Sequence, residues 1–330
     1  AHLMEVNLFG YGKKLYGEVM HESDVGNTWK FGYSDYQILS TRWVGNATYT
    51  TGPLVESFAV TANLPLYSPD SKWAYGMTAF KSDRTIRLFE DGEESSRFAK
   101  DSIMVNGHMK RSTGPRNQKT KLSLTLKYFE ADYSPLGSQT TTPPPPDQAN
   151  LTPTFSISKE DVSFAKFTYL DKMGRVEDNW LGLRYGGNVG YGIPMEDGFE
   201  LWDLGANVFN NTAWADKHLL RLNAQVNSQW VRNTVVFGSA RYYRKFSKHT
   251  FATRFKVQLG YELDSSRQFT LGADSGLRGY PARQFSGEQL MLLNVEDRQF
   301  WGRYTIGPKI DVGTVVFVDA GNVWKDEEEV

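Results

Sequence analysis

Few residues in this sequence have the types and spacing of a catalytic or metal site. The five histidines are dispersed without ligand spacing, and there is no cysteine to act as nucleophile, zinc ligand or disulfide partner. Ser275 lies in the run 272–276, which lacks the glycine two residues before the serine that a nucleophile elbow needs. The glycine-rich run 186–192 lies in a strand-like pattern, so we interpret it as structural rather than as a dinucleotide cradle. The sequence therefore disfavours an enzyme, and we predict no catalytic residue, metal site or cofactor.

The composition limits the kind of partner. The 330 residues include 37 Lys+Arg and 38 Asp+Glu, a net charge of -1, which does not indicate a nucleic-acid binder. The mean hydropathy of -0.49 resembles that of a soluble protein, and apolar runs such as 315–318 fall far short of the ~20 residues of a membrane helix. Aromatic residues make up 14% of the chain, however, and there are 30 glycines. This combination is typical of a large all-β protein and leaves a membrane β-barrel open.

The apolar residues alternate with polar ones along most of the chain, which predicts strands. The alternation is clearest over 121–128, 219–227 and 251–262. Further strands are predicted near 13–22, 28–37, 43–50, 55–64, 72–82, 100–112, 161–170, 178–191, 199–209, 232–245, 287–299 and 311–319. Longer polar connections are predicted near 83–99 and 130–158, the second of which contains four consecutive prolines that cannot pair in a ladder.

Strand length and the nature of the polar face distinguish a soluble sandwich from a membrane barrel. Soluble strands commonly have ~5–6 residues, whereas a tilted membrane strand needs ~9–11. The runs 119–129 and 251–262 belong to the longer class, and their polar faces carry Lys, Arg and Gln, as a wet lumen would. Aromatic residues also lie near predicted strand ends, as in interfacial girdles: Trp29, Trp43, Tyr67, Trp73, Trp230 and Trp301. The pattern therefore favours a transmembrane antiparallel β-barrel.

The C-terminal third contains an ordered set of short motifs. The tetrapeptide Leu277-Arg278-Gly279-Tyr280 follows Gly272 and Gly276 and lies between two predicted strands. The next strand carries the run 294–298, with Asn294, Glu296 and Arg298 on one face, and the strand after it carries the run 317–321, with Asp319 and Gly321. The tetrapeptide alone is a weak signal, but its order with the two following motifs makes chance agreement improbable.

These motifs resemble the BamA/TamA family of outer-membrane assembly proteins, also called the bacterial surface antigen family. The hallmark of the family is an Arg-Gly element in a long loop that folds back into the barrel, followed by strands with Asn-x-Glu-x-Arg and Asp-x-Gly. The run 7–15 also resembles the family's periplasmic turn between its second and third strands. The resemblance implies a sixteen-stranded barrel with an inward-folded loop, present here as a fragment incomplete at both ends, over residues 1–330.

The resemblance also implies partners for Arg278. A guanidinium confined in a lumen needs an acceptor, because an unpaired charge there is costly. Glu296 and Asp319 fall on the inward faces of adjacent predicted strands, and the family's loop arginine contacts lumenal acids. We expect Gly279 to allow backbone geometry closed to other residues and Tyr280 to anchor the loop on the wall. Gly272, Gly276, Asn294, Arg298 and Gly321 would support this motif.

The strand count departs from the family pattern. Nine strands should separate the run 7–12 from the Arg278 loop, but the segmentation gives about thirteen. Either long strands are being split, most readily within 28–64, or the barrel is enlarged. The closing strands and the POTRA domains of the family lie outside this chain.

The implied function is insertion, assembly or translocation of outer-membrane or secreted polypeptides in a bacterial outer membrane. The implied partners are outer-membrane lipid, unfolded polypeptide substrates and periplasmic accessory proteins that act through POTRA domains; nucleic acid is not among them. Three alternatives remain: a two-partner secretion pore, a passive porin-like barrel, and the barrel of a patatin-like lipase fusion.

Overall fold

The computed structural model describes residues 2–8, 10–137, 142–172, 175–196, 198–229, 232–305 and 309–325. Its strands are β1 (His2–Leu8), β2 (Lys13–Glu22), β3 (Gly26–Asp35), β4 (Val44–Gly52), β5 (Val55–Leu64), β6 (Trp73–Glu90), β7 (Glu93–Thr113), β8 (Gln118–Pro135), β9 (Gln148–Asp161), β10 (Ser163–Thr168), β11 (Val176–Pro194), β12 (Leu201–Trp214), β13 (His218–Gln229), β14 (Arg232–Lys245), β15 (His249–Tyr261), β16 (Phe269–Leu271), β17 (Phe285–Gly287), β18 (Gln289–Thr305) and β19 (Lys309–Trp324). A single 3-10 turn, Ile38–Ser40, is the sole helical element of these ranges. Within them, no helix has the length and apolar character needed to cross a membrane.

All strands except β16 and β17 form one antiparallel sheet in which neighbours along the chain pair with each other. β9 pairs with residues 184–194 of β11 and β10 with residues 176–181, and β18 pairs with β15 across a long connection. The strands are long: β6, β7 and β8 have 18, 21 and 18 residues. The predicted all-β antiparallel fold is thus confirmed.

The sheet is rolled, because strands far apart in the pairing order touch. Lys325, just after β19, has its Nζ 3.5 Å from an oxygen of Glu90 at the end of β6. Arg298 of β18 lies 3.1 Å from Asp171, beside β11, although a flat sheet would separate these strands by ~24 Å at ~4.8 Å per step. No described residues pair β1 with β19, so the rolled sheet is a barrel that is not closed.

The two faces of the sheet differ in polarity. On the outer face an apolar row crosses five strands, in register and exposed throughout: Tyr75, Met109, Leu124, Phe155 and Val189. One position along, the inner face carries Lys110, Ser123, Ser156 and Asn188. The barrel is therefore apolar outside and polar inside, the reverse of a soluble domain.

The two predicted polar connections are much shorter than expected. The region 83–99 continues β6 and β7 as strands with a turn at Asp91 and Gly92, and the connection between β8 and β9 covers residues 136–147 rather than 130–158. The proline run lies within that connection, whereas Pro153 lies inside β9 opposite Leu126. Alternation is lost where ladders extend beyond the apolar band, because water then reaches both faces.

The high predicted number of strands does not result from dividing single long strands into two. The region 28–64 contains β3, β4 and β5 as separate strands, so the expectation that long strands had been divided there is wrong. Without β10, which pairs with residues 176–181 of β11, thirteen strands separate the turn after β1 from the connection between β15 and β18. The predicted count of thirteen is therefore correct, although the predicted strand 161–170 corresponds to β10 and β9 was not predicted. The motif-bearing loop follows more strands than the family pattern implies.

Candidate functional site

The connection between β15 and β18, residues 262–288, folds back onto the inner face of the barrel and is called the inserted loop below. It contains the short hairpin of β16 and β17. Leu271 and Leu277 of this loop are 0% and 3% exposed and pack with Leu290 and Leu292 of β18. Burial of these four leucines, at ~1.5–3 kcal/mol each, is the main apolar contribution to holding the loop inside.

Arg278 joins the inserted loop to the last two strands. Its Nε and Nη2 donate to the two carboxylate oxygens of Asp319 at 2.8 and 2.7 Å, and its backbone N–H donates to Asp319 at 3.1 Å. Its Nη1 lies 2.8 Å from Glu296, and its guanidinium carbon lies 3.7 Å from the ring centroid of Phe317. Hydrogen bonding to Asp319, and then to Glu296, raises the pKa of Arg278 above its usual range, so the cation is permanent.

Asn294 and the glycines complete this arrangement. The Asn294 amide donates to the Gly276 carbonyl and to Asp319, each at 2.7 Å. Gly276 has φ of 117°, a conformation that favours glycine. The Gly272 carbonyl accepts from three backbone N–H groups, those of residues 275, 276 and 277. A Cβ at Gly321 would lie 2.8 Å from the Leu271 side chain, so this glycine allows the loop to approach β19.

Two residues of the tetrapeptide lie differently from the expectation. Gly279 has open space around its Cα and no positive φ, so the special backbone geometry belongs to Gly276 instead. Tyr280 is 48% exposed and packs edge-on against Phe285, at 5.2 Å between centroids, within the loop itself. It therefore shapes the loop rather than anchoring it on a wall strand.

The inserted loop also reaches β6. The Gln268 amide accepts from the backbone N–H of Phe89 at 2.7 Å and donates to its carbonyl at 3.0 Å, as a neighbouring strand would. The Ser286 hydroxyl donates to the same carbonyl at 2.6 Å. Arg283 makes exposed ion pairs with Glu22 and Asp24 at the turn between β2 and β3. The loop thus contacts two distant parts of the barrel wall.

A second segment enters the interior from the opposite end, and sequence reasoning missed it. It consists of β10, residues 169–172 and residues 175–181, and is called the inner hairpin below. Leu170, fully buried, packs with Leu219, Tyr243 and Ala252 of β13, β14 and β15. Thr250 donates to the Tyr169 carbonyl at 2.6 Å. The inner hairpin is therefore packed on the wall like the inserted loop.

Asp171 is the charged contact of the inner hairpin. It accepts from the Tyr243 hydroxyl at 2.8 Å and pairs with Arg298 at 3.1 Å and Arg221 at 3.3 Å. Burial acts to raise the pKa of Asp171, but the hydrogen bonds from Tyr243 and Arg298 and the nearby Arg221 hold it below its usual range. The carboxylate therefore stays ionised at neutral pH.

Arg298 connects the two inserted segments. Its Nε donates to Glu296 at 2.7 Å, and Glu296 also holds Arg278. Its Nη1 donates to the Leu170 carbonyl at 2.5 Å. A continuous ladder of charges thus runs from Asp319 through Arg278, Glu296 and Arg298 to Asp171. Asp171 could not be identified from a local sequence motif, because its partners lie up to 127 residues away in the chain.

The interior offers no arrangement suited to a metal, since no three His, Asp or Glu side chains converge within the described ranges. Its chemistry is that of guanidinium and carboxylate groups in a wet, confined space.

No family model matches the sequence, and no curated protein matches it. Among solved structures, the chain is similar to CdiB from Acinetobacter baumannii, at 12% identity and a TM-score of 0.46, over 93% of this chain and 59% of that one. It is also similar to BamA from Haemophilus ducreyi lacking POTRA domains 1-3, at 7% identity and a TM-score of 0.49, over 97% of this chain and 70% of that one. The chain spans less than two thirds of the CdiB structure. These similarities are too distant to carry an argument about function, which is inferred below from the geometry of the interior.

Proposed function

We propose that this chain is the outer-membrane β-barrel domain of a BamA/TamA-type protein and assists the insertion, assembly or translocation of other polypeptides. The observation that carries this proposal is the arrangement of Arg278, which ties the Leu-Arg-Gly-Tyr loop to Asp319 and Glu296 inside a rolled sheet.

The outer face supports a location in the lipid of a bacterial outer membrane. A continuous exposed apolar row is unusual on a water-soluble protein and suits contact with acyl chains. Four aromatic side chains from the predicted girdles are exposed: Trp29, Tyr67, Trp73 and Trp301. Trp43 is half-buried, and Trp230 lies outside the described residues.

The mechanism that we propose is conformational rather than covalent. The interior presents fixed charges and two inserted segments, so an unfolded polypeptide would meet a pre-organised polar surface. Residues 1–330 form a single barrel domain in this view. Accessory periplasmic proteins would act through POTRA domains carried elsewhere in the protein.

The test compares Arg278→Ala with Arg303→Ala in the full-length protein, reconstituted in phosphatidylethanolamine–phosphatidylglycerol vesicles. Arg303 of β18 makes a similar bidentate pair with Asp311 of β19, at 2.7 and 2.8 Å, on the two strands that hold Arg278 but away from the inserted loop. The substrate is a urea-unfolded eight-stranded outer-membrane protein, and its folded fraction is read by heat-dependent gel migration.

Arg278→Ala should slow substrate folding about tenfold or more relative to the wild-type protein, whereas Arg303→Ala should not. Equal activity of Arg278→Ala and wild type would contradict the proposed role of the loop. Steady ion conductance without any acceleration of substrate folding would instead identify a passive pore.

A further inference from the structure

A water-accessible cavity of about 490 Å³ lies between the inserted loop and the inner wall, in the size range of ligand sites. Four guanidinium groups line it, against two carboxylates, those of Asp274 and Glu296. The arginines are Arg241, Arg254, Arg278 and Arg298. Positive charge is therefore in excess around the cavity.

The excess is located on two residues. Arg278 and Arg298 are neutralised by the charge ladder, through Asp319, Glu296 and Asp171. In the part of the chain that the structure describes, neither Arg241 nor Arg254 lies within 4 Å of a carboxylate oxygen. Arg241 instead donates to the Tyr243 hydroxyl at 3.3 Å.

Arg241 and Arg254 are also direct cross-strand neighbours, on β14 and β15. Arg221 precedes them in the same row, and Asn294 and Asp319 follow. Lys256, two residues beyond Arg254, adds a third cation to the same face. Like charges placed directly opposite each other destabilise a sheet. The barrel thus keeps a repulsive pair at the edge of a water-accessible cavity, where a neutral residue would make the fold more stable.

An oxyanion would relieve this repulsion. A guanidinium presents a planar fork of donors that matches a carboxylate with two parallel hydrogen bonds. Both side chains are half-buried, so their attraction for an anion is screened less than at an open surface. The site lies on the inner face, away from the apolar row, so a ligand would arrive through the interior rather than from the lipid.

We propose that Arg241 and Arg254 form a binding site for carboxylate groups of an acidic polypeptide segment inside the barrel. The proposal rests on the proposed function, since it needs a polypeptide in the interior. It assigns a substrate chemistry to that function: segments rich in Asp or Glu are held beside the inserted loop.

The experiment measures peptide binding to the full-length protein in neutral detergent micelles, without any insertion assay. The probes are a fluorescein-labelled peptide of alternating Glu and Ser and its counterpart of alternating Gln and Ser, followed by anisotropy at low salt. The variants are Arg241→Gln with Arg254→Gln, the same pair changed to Lys, and Arg244→Gln. Arg244 lies on the same strand, three residues away and on the outer face, and serves as the matched control.

The wild-type protein and Arg244→Gln should bind the Glu peptide at least tenfold more tightly than the Gln peptide, and 0.5 M NaCl should remove most of this preference. The Gln pair should lose the preference, and the Lys pair should retain part of it. The Gln pair should also raise the Tm of the peptide-free protein, because it removes the repulsion; this readout shows that the variant is folded.

Equal binding of the two peptides by the wild-type protein would overturn the proposal, as would an unchanged preference in the Gln pair. Binding of inorganic phosphate with no binding of either peptide would overturn the assignment to a polypeptide. Failure of the proposed function is separate, since it would appear as absent substrate insertion while the Glu peptide still binds.

Discussion

The inserted loop and the inner hairpin enter the barrel from opposite ends and are held by the same two kinds of contact. Each buries leucine against the wall, Leu271 and Leu277 in one and Leu170 in the other. Each places one charged side chain among oppositely charged partners, Arg278 in the loop and Asp171 in the hairpin. The two segments differ in whether the sequence identifies them, because the loop carries a recognisable motif whereas the hairpin continues an ordinary strand pattern. A segment can therefore occupy the barrel interior without a recognisable motif, provided that the wall offers it apolar and oppositely charged contacts.

The largest expected effect is on docking of the inserted loop, and it should leave the inner hairpin unchanged. Arg278→Ala leaves Asp319, whose side chain is 4% exposed, without its bidentate partner, at a cost of about 3–5 kcal/mol to docking. Hydrogen exchange in residues 267–278, followed by mass spectrometry in micelles, should rise at least a hundredfold, while exchange in residues 163–172 should not change.

Arg283→Ala is the control for that change, since its ion pairs in the same loop involve partners that are about half exposed and contribute about 1 kcal/mol or less. Equal effects of the two substitutions would show that the loop is held by its packing and not by the Arg278 pair.

The converse change acts on the inner hairpin. Leu170→Ala removes a fully buried side chain and should destabilise docking of the hairpin by about 3 kcal/mol. Exchange in residues 163–172 should rise while that in 267–278 stays unchanged. Phe164→Ala, at a side chain that is 70% exposed on β10 of the same hairpin, should alter neither segment. A matching rise in both segments would mean that the hairpin supports the loop through apolar contacts.

Arg298→Gln tests whether the charge ladder couples the two segments. The guanidinium holds Glu296 on one side and the Leu170 carbonyl and Asp171 on the other, so its loss should cost about 2 kcal/mol. Exchange should rise moderately in both segments at once. A response confined to one segment would show that the two are independent.

The smallest effect concerns pH. The pKa of Asp171 is lowered in the folded protein, so its contribution to stability is complete above the unfolded value of ~3.9 and is lost as the pH falls through the folded value. Because trypsin is inactive at such pH, docking of the hairpin is monitored by its cleavage with pepsin between pH 5 and pH 2. Cleavage near residues 163–172 should increase below about pH 4, and Asp171→Asn should weaken this dependence.

Most of the sheet was accessible from alternation alone. β5 and β14 occupy the predicted residues, and β8 and β13 include two of the clearest alternating runs. β9 was missed, because Pro153 and the polar residues before it resemble a loop although they pair with β8 throughout. Alternation reports a difference between two environments, so it fails where both faces of a strand meet water.

The site was accessible only in part, for a related physical reason. Arg278, Glu296 and Asp319 could be grouped because a motif orders them on neighbouring strands. Arg241 and Arg254 become neighbours only once the register of β14 on β15 is known. Asp171 meets Arg298 only because the sheet rolls, and rolling is a property of the whole sheet rather than of any segment.

The hydrogen bonds between the inserted loop and Phe89 determine which side of the loop separates first from the barrel wall. On the β18–β19 side the loop is fastened by buried leucines and a bidentate ion pair, whereas on the β6 side it is fastened by neutral hydrogen bonds from Gln268 and Ser286, worth about 1 kcal/mol each. Widening the lumen therefore releases the β6 side first. We expect the loop to stay attached to β18 and β19 while it separates from Phe89. Gln268→Ala should therefore lengthen the spin-label distance between β6 and β18, while Leu277 stays protected from exchange.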